Sequence, residues 1–160
     1  MNEMNELYGS ILIYAARLLS DSESAKDITQ EVFLRLEQNK DRVQNGSVQN
    51  VKAFAYKTAR NLIIDCFRKT KMETLTEDLP ADKTLFNPAI LAEKKEQKKM
   101  LEEKFNELAP RHREVLRLKF QEGLKYAEIA EILGEPVTTI AWLIHEAVAK
   151  LRSELTKNNN

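Results

Sequence analysis

The chain has 160 residues, 42% of them hydrophobic and 31% charged, enough for one ordinary domain or two small ones and too apolar for a chain disordered throughout. No apolar run approaches the roughly 20 residues that cross a bilayer, and the N-terminal MNEMNELYGS lacks the basic start and apolar core of a secretion signal, so a cytoplasmic protein without direct membrane insertion is expected. A single cysteine, Cys66, excludes an internal disulfide, and with only His112 and His145 besides there is no Cys/His cluster at metal-ligand spacing. Four Gly and four Pro, against abundant Leu, Ala, Glu and Lys, favour helices joined by short turns.

Apolar residues at Leu7, Ile11, Tyr14, Ala15, Leu18 and Leu19 predict a first helix. A second starts after Asp21 or Ser22, either a suitable N-cap, and is expected to bury Ala25, Ile28, Val32, Phe33 and Leu36. Asn39 to Asn50 is rich in Asn, Gln and Ser and reads as a loop or a short broken helix. Val51 to Lys69 forms a third helix, with Val51, Phe54, Ala55, Thr58, Ala59, Leu62 and Cys66 as its expected apolar stripe.

Thr70 to Pro88 loses this periodicity and carries Pro80 and Pro88, which marks a linker between domains. Beyond it, AEKKEQKKMLEEKF has the i,i+3 and i,i+4 charge offsets of a solvated helix. Arg111 to Phe120 is predicted helical, ended by Gly123 in a left-handed cap. Tyr126 to Leu133 is a short helix stopped by Gly134-Glu135-Pro136, and a last helix runs from Val137 or Thr138 to Leu155. Ala130, Gly134 and Ile140 have the spacing of a helix-turn-helix, which needs a small residue where helices touch, a glycine in the turn and a branched anchor; an ordinary helical hairpin also fits them.

The net charge is zero, but its distribution is uneven. Residues 1–50 hold five basic and eight acidic side chains, whereas residues 51–72 hold six basic and one acidic. Affinity for nucleic acid depends on such a local patch, because phosphate neutralisation acts within about a Debye length of 8–10 Å. At 100° per residue, Lys57, Arg60, Asn61, Ile64 and Arg68 share the side of the third helix away from the expected stripe, with Tyr56 and Phe67 at its border. Cations contact phosphates, asparagine reads a base edge and an aromatic ring stacks on an unpaired base.

DITQEVFLRL (27–36), AFAYKTARNLIIDCFRK (53–69) and LAPRHREVLRLKFQEGLKYAEIAEILGEPVTTI (108–140) together resemble the conserved segments of the extracytoplasmic-function sigma factors, the smallest bacterial RNA polymerase specificity subunits. The resemblance implies an all-α protein of two helical domains, 1–72 and 89–160, joined by a linker at 73–88. The first binds core RNA polymerase and opens the minus-ten element of promoter DNA; the second binds the minus-thirty-five element through its helix-turn-helix. It further implies an anti-sigma partner, no cofactor and no catalytic residue. For the minus-ten site the candidates are Lys52, Tyr56, Lys57, Arg60, Asn61, Asp65 and Arg68. The loop at 41–50 stands where the family has a pocket for a flipped base, with Asn45, Ser47 and Asn50 able to hydrogen-bond one. Asp27, Gln30, Glu31, Phe33 and Leu34, beside Arg35, are the candidates for docking on polymerase.

The last helix departs from the family pattern. Where relatives carry a basic triplet, this chain has Ala141, Trp142 and Leu143, and there is no Lys or Arg from Val137 to Ala149. Candidates for the minus-thirty-five contact are therefore Lys125, Thr138, Thr139, Trp142 and His145. Three accounts stay open: contacts with thymine methyls and backbone amides, a protein-binding surface through Trp142 and Leu143, or Trp142 packed within the chain. A rival for the whole protein is a sigma-like regulator or decoy that binds polymerase without reading DNA.

Overall fold

The computed structural model describes residues 3–46, 50–70 and 95–157, and among these every regular element is helical. Helix α1 spans Glu3–Leu19 and α2 spans Ser22–Gln38. Ser20, at φ 57°, turns the chain between them, and Asp21 caps α2 by accepting hydrogen bonds from the Ser24 hydroxyl (2.6 Å) and the Glu23 amide (3.1 Å). The Ser24 bond foremost, then that from Glu23, holds the Asp21 carboxyl below the usual carboxylate range. Short α3 (Lys40–Gln44) follows, and α4 runs over Val51–Thr70, its first turn capped by the Asn50 side chain, which accepts from the Ala53 amide at 2.9 Å.

These four helices make one compact unit. Helix α4 packs on both α1 and α2, which pack on each other, and the core between them contains Ile11, Tyr14, Ala25, Val32, Ala59 and Ile63 at 0–1% exposure. The Tyr14 and Tyr56 rings meet edge-on with centroids 5.3 Å apart, a geometry that adds to their burial. Of the predicted α2 core, Ala25, Val32 and Leu36 are buried, while Ile28 and Phe33 are half-buried.

The second unit contains α5 (Lys95–Glu107), α6 (Pro110–Leu116), a π-helical turn (Arg117–Gln121), the start of α7 (Tyr126–Leu133) and α8 (Val137–Lys157). Both α5 and α6 pack on α8. Arg113 ties the α5–α6 corner, its Nη1 donating to the carbonyls of Asn106 (3.1 Å) and Leu108 (2.9 Å), which lie at the C-terminal end of α5 where no intrahelical donor remains. The π turn inverts the usual sorting of side chains: Arg117 is 1% exposed and Phe120 59% exposed. A wider i→i+5 turn, closed by the Glu122 amide on the Arg117 carbonyl at 3.1 Å, shifts the helical register by about one residue and exchanges which positions face inward.

Gly123 and Gly134 both adopt φ +67°, the left-handed conformation that the two turns require. The Glu135 amide closes the second turn on the Ala130 carbonyl at 3.0 Å, and Ile140 at 0% exposure anchors α8. The linker expected at 73–88 and the start of the solvated helix before Lys95 lie outside the described residues, as does Ser47.

Candidate nucleic-acid and polymerase interfaces

Helix α4 corrects the phase read from the sequence. Its buried side chains are Ala53, Ala55, Tyr56, Thr58, Ala59, Ile63 and Ile64, so the core-facing arc centres on Tyr56 and Ile63 rather than on Phe54, Leu62 and Cys66, which are half-buried. Apolar residues occur nearly all round this helix, so periodicity alone permits two phases. Ala55, Thr58 and Ala59, common to both phases, are buried as expected, and packing on α1 and α2 turns Tyr56, Ile63 and Ile64 inward beside them.

The consequence for the candidates is specific. Tyr56, 1% exposed and stacked edge-on against Tyr14, does not reach the surface, and Ile64 at 7% is core rather than part of the polar face. Lys52 is half-buried and lines a groove with Glu3 and Glu6 at the start of α1, about 140° or more round the helix from Lys57, Asn61, Asp65 and Arg68. Lys57, Asn61, Asp65 and Arg68 are all exposed. At steps of four, four and three residues they form one stripe along the outer face of α4. Arg68 lies 3.8 Å from Asp65, an exposed i,i+3 pair that orients the guanidinium without quenching it. Arg60 is half-buried beside this stripe, and exposed Lys69, absent from the candidates, extends it toward the helix end; the count of basic residues over 51–72 was the signal for it. In the loop before α4, Asn50 is committed to its cap, and Asn45 is exposed.

On α2, Asp27, Gln30 and Leu34 are exposed and Glu31 is partly so, and one-turn spacing aligns them. Glu31 accepts from Arg35 Nε at 3.0 Å. Leu34 is 53% exposed, an apolar side chain in the middle of a polar ridge. Phe33 points elsewhere: half-buried, its ring lies 5.1 Å from that of Tyr8.

In the second unit Lys125, Thr138, Trp142 and His145 are exposed and Thr139 is half-buried. Leu143, paired with Trp142 in one of the sequence-based accounts, is 4% exposed and belongs to the core. Glu146 is held by the body of the domain, its Oε2 3.3 Å from His112 Nε2 and its Oε1 3.5 Å from Lys150. Arg111 Nη2 donates to Glu135 at 2.8 Å, which fixes α6 to the turn before α8; no spacing rule links residues 24 apart, so this pair has no signature in the sequence.

Comparison with known proteins matches these two units to named families. Residues 4–72 fit the Sigma-70 region 2 family and residues 98–151 the Sigma-70 region 4 family. The ECF RNA polymerase sigma factor SigW of Bacillus subtilis is 30% identical over 152 residues, spanning 87% of this chain and 79% of its own. The ECF RNA polymerase sigma factor SigL of Mycobacterium tuberculosis H37Rv is 30% identical over 149 residues, with 89% and 80% covered. In fold, the chain is similar to the sigma factor RpoE of Bartonella quintana, solved with the anti-sigma factor NepR, at a TM-score of 0.64 and 22% identity over 96% of this chain and 94% of that one. Two helical units in this order, each matching its sigma-70 region, together with full-length relatives at this identity, make the chain a member of the extracytoplasmic-function class of RNA polymerase sigma factors.

Proposed function

We propose that this chain joins core RNA polymerase, recognises a promoter and opens it for initiation, with 1–72 acting on polymerase and the minus-ten element, 73–88 as the linker and 89–160 on the minus-thirty-five element. The observation that carries this beyond family membership is the outer stripe of α4, Lys57, Asn61 and Arg68, exposed in one line. Two cations set register on phosphates, and an amide between them has the donor and acceptor to read a base edge. Strand opening then needs no catalytic group, because capture of an unstacked base offsets the few kcal/mol of unstacking. The chain is on this account an initiation factor rather than an enzyme, and it needs no cofactor. None of its described helices is long and apolar enough to cross a membrane. The structural neighbour's anti-sigma complex supports the same kind of partner here.

Core binding rests on the α2 ridge. Leu34→Glu places a charge where an apolar anchor is expected to be desolvated, and it should weaken the affinity for core polymerase by roughly tenfold or more. The substituted side chain is exposed and glutamate is a good helix former, so thermal unfolding should be unchanged. Fluorescence anisotropy of labelled chain against core enzyme measures this, and unchanged affinity removes α2 from the interface.

The overall function is tested by transcribing fragmented genomic DNA with core polymerase and the purified chain, then sequencing the transcripts. New 5′ ends sharing an upstream sequence are the expected outcome. Polymerase binding without any new start site supports the rival regulator that does not read DNA.

A further inference from the structure

The surface of α8 is unusual in charge. From Tyr126 to Ala149 there is no Lys or Arg, and there are four glutamates. Three of the four are already engaged: Glu128 accepts from the Lys125 amide at 3.0 Å, Glu135 from Arg111, and Glu146 sits between His112 and Lys150. The first turn and a half of α8, Val137 to Trp142, therefore carries no charged side chain at all. Val137 is 46% and Trp142 59% exposed, and Thr138 and His145 lie within about 40° of Trp142 and 60° of it respectively on the helix. Beneath them Ile140, Leu143, Ile144 and Ala147 are buried, so packing fixes which face α8 turns outward.

Resting on the sigma-factor function above, we infer that Trp142 is the specificity-determining residue of the second domain and reads thymine methyl groups in the upstream promoter element. A recognition helix contacts bases through its N-terminal residues, and these here are Val137, Thr138 and Trp142. None offers the cationic fork that reads guanine, whereas the C5 methyl of thymine is the one apolar group on the major-groove edge of a base pair. An exposed indole with the Thr138 methyl one turn before it is complementary to that group. The same composition leaves the α8 part of this contact nearly indifferent to salt, since Val137 to Ala149 releases no counterions. Protein docking is the other use of an exposed tryptophan; the uncharged first turns and the position of Trp142 in the turn-following helix favour DNA.

The test uses holoenzyme assembled from the full chain and core polymerase. Open complexes are selected from promoters randomised upstream of the minus-ten element, and each selected thymine is then replaced by deoxyuridine, which removes only the methyl group. At one or two positions this replacement should weaken binding about four- to tenfold, the value of a methyl withdrawn from water. Holoenzyme carrying Trp142→Ser should bind thymine and deoxyuridine promoters alike, at the level the unsubstituted holoenzyme shows for deoxyuridine, and Trp142→Lys should steepen the salt dependence by roughly 0.9 in log–log slope. Equal binding of thymine and deoxyuridine by the unsubstituted holoenzyme overturns the inference and leaves the sigma function standing. The inference is equally overturned if Trp142→Ser keeps the base preferences but weakens core binding. Holoenzyme that initiates from no promoter overturns the sigma function itself.

Discussion

Reversing two charges on the outer stripe of α4, Lys57→Glu with Arg68→Glu, is expected to cut open-complex formation roughly ten- to twentyfold at about 0.2 M salt, through the loss of two phosphate contacts. Both side chains are exposed on the side of α4 away from Ile63 and Tyr56, so the change leaves the core untouched. Glu matches Lys and Arg closely in helix propensity, and the new like-charge neighbour of Asp65 costs only about 0.2–0.5 kcal/mol. The salt dependence is the sharper diagnostic. Two lost contacts lower the log–log slope of binding against salt by roughly 1.4–1.8, whereas a folding defect reduces affinity without changing the slope in that way. Affinity for core polymerase, which the α2 ridge is proposed to provide, should be unchanged. Permanganate footprinting of promoter opening, alongside anisotropy for core binding, separates the two. A double variant that opens promoters normally shows that α4 is not the DNA face.

The fold was legible because its signals were local. Asp21 ahead of Ser24, Gly123 and Gly134 at the turns, and Pro136 ahead of the last helix each mark a boundary through the chemistry of a single residue, and each boundary lies where that chemistry puts it. The π turn was not legible. Arg117 inside and Phe120 outside contradict their own polarity, and only the hydrogen bond that widens the turn explains the exchange.

The candidate face was legible in composition and partly misread in direction. The excess of cations over 51–72 pointed to α4, and Lys57, Asn61, Asp65 and Arg68 do share its outer face. Which of two apolar stripes turned inward was decided by α1 and α2, that is, by Tyr14, Val32 and their neighbours, and a helical wheel contains none of that information. Lys52 and Tyr56 accordingly dropped out of the face. On α8 the absence of cations was plain from the sequence, but the partners of Glu135 and Glu146 are Arg111 and His112, more than twenty residues away.

Tyr56 supplies the strongest contrast between a core role and a base-stacking role. As a core residue at 1% exposure, Tyr56→Ala should destabilise the first unit by about 3–5 kcal/mol, the range for truncating a buried aromatic to alanine, and also lose the edge contact with Tyr14. Against a typical domain stability of about 5–15 kcal/mol, a loss of that size removes much of the margin, so chemical denaturation should show a large fall in the midpoint and the variant should bind core polymerase poorly. Tyr56→Phe keeps the ring and its packing and removes one hydroxyl, with an expected cost of about 0.5–1.5 kcal/mol. It should form holoenzyme and open promoters at close to the unsubstituted rate. A stacking residue would behave differently: Tyr56→Ala would stay folded, bind polymerase normally and fail only when strands separate. That pattern would mean the ring leaves the core during opening. In the structure the ring lies among Tyr14, Ala59 and Ile63, all at 0–1% exposure, and moving it outward would open a cavity of side-chain size between α1, α2 and α4. Of the half-buried aromatics on α4, Phe54 stands two turns before Asn61, on the line of the stripe, and Phe67 about 100° round the helix from Arg68.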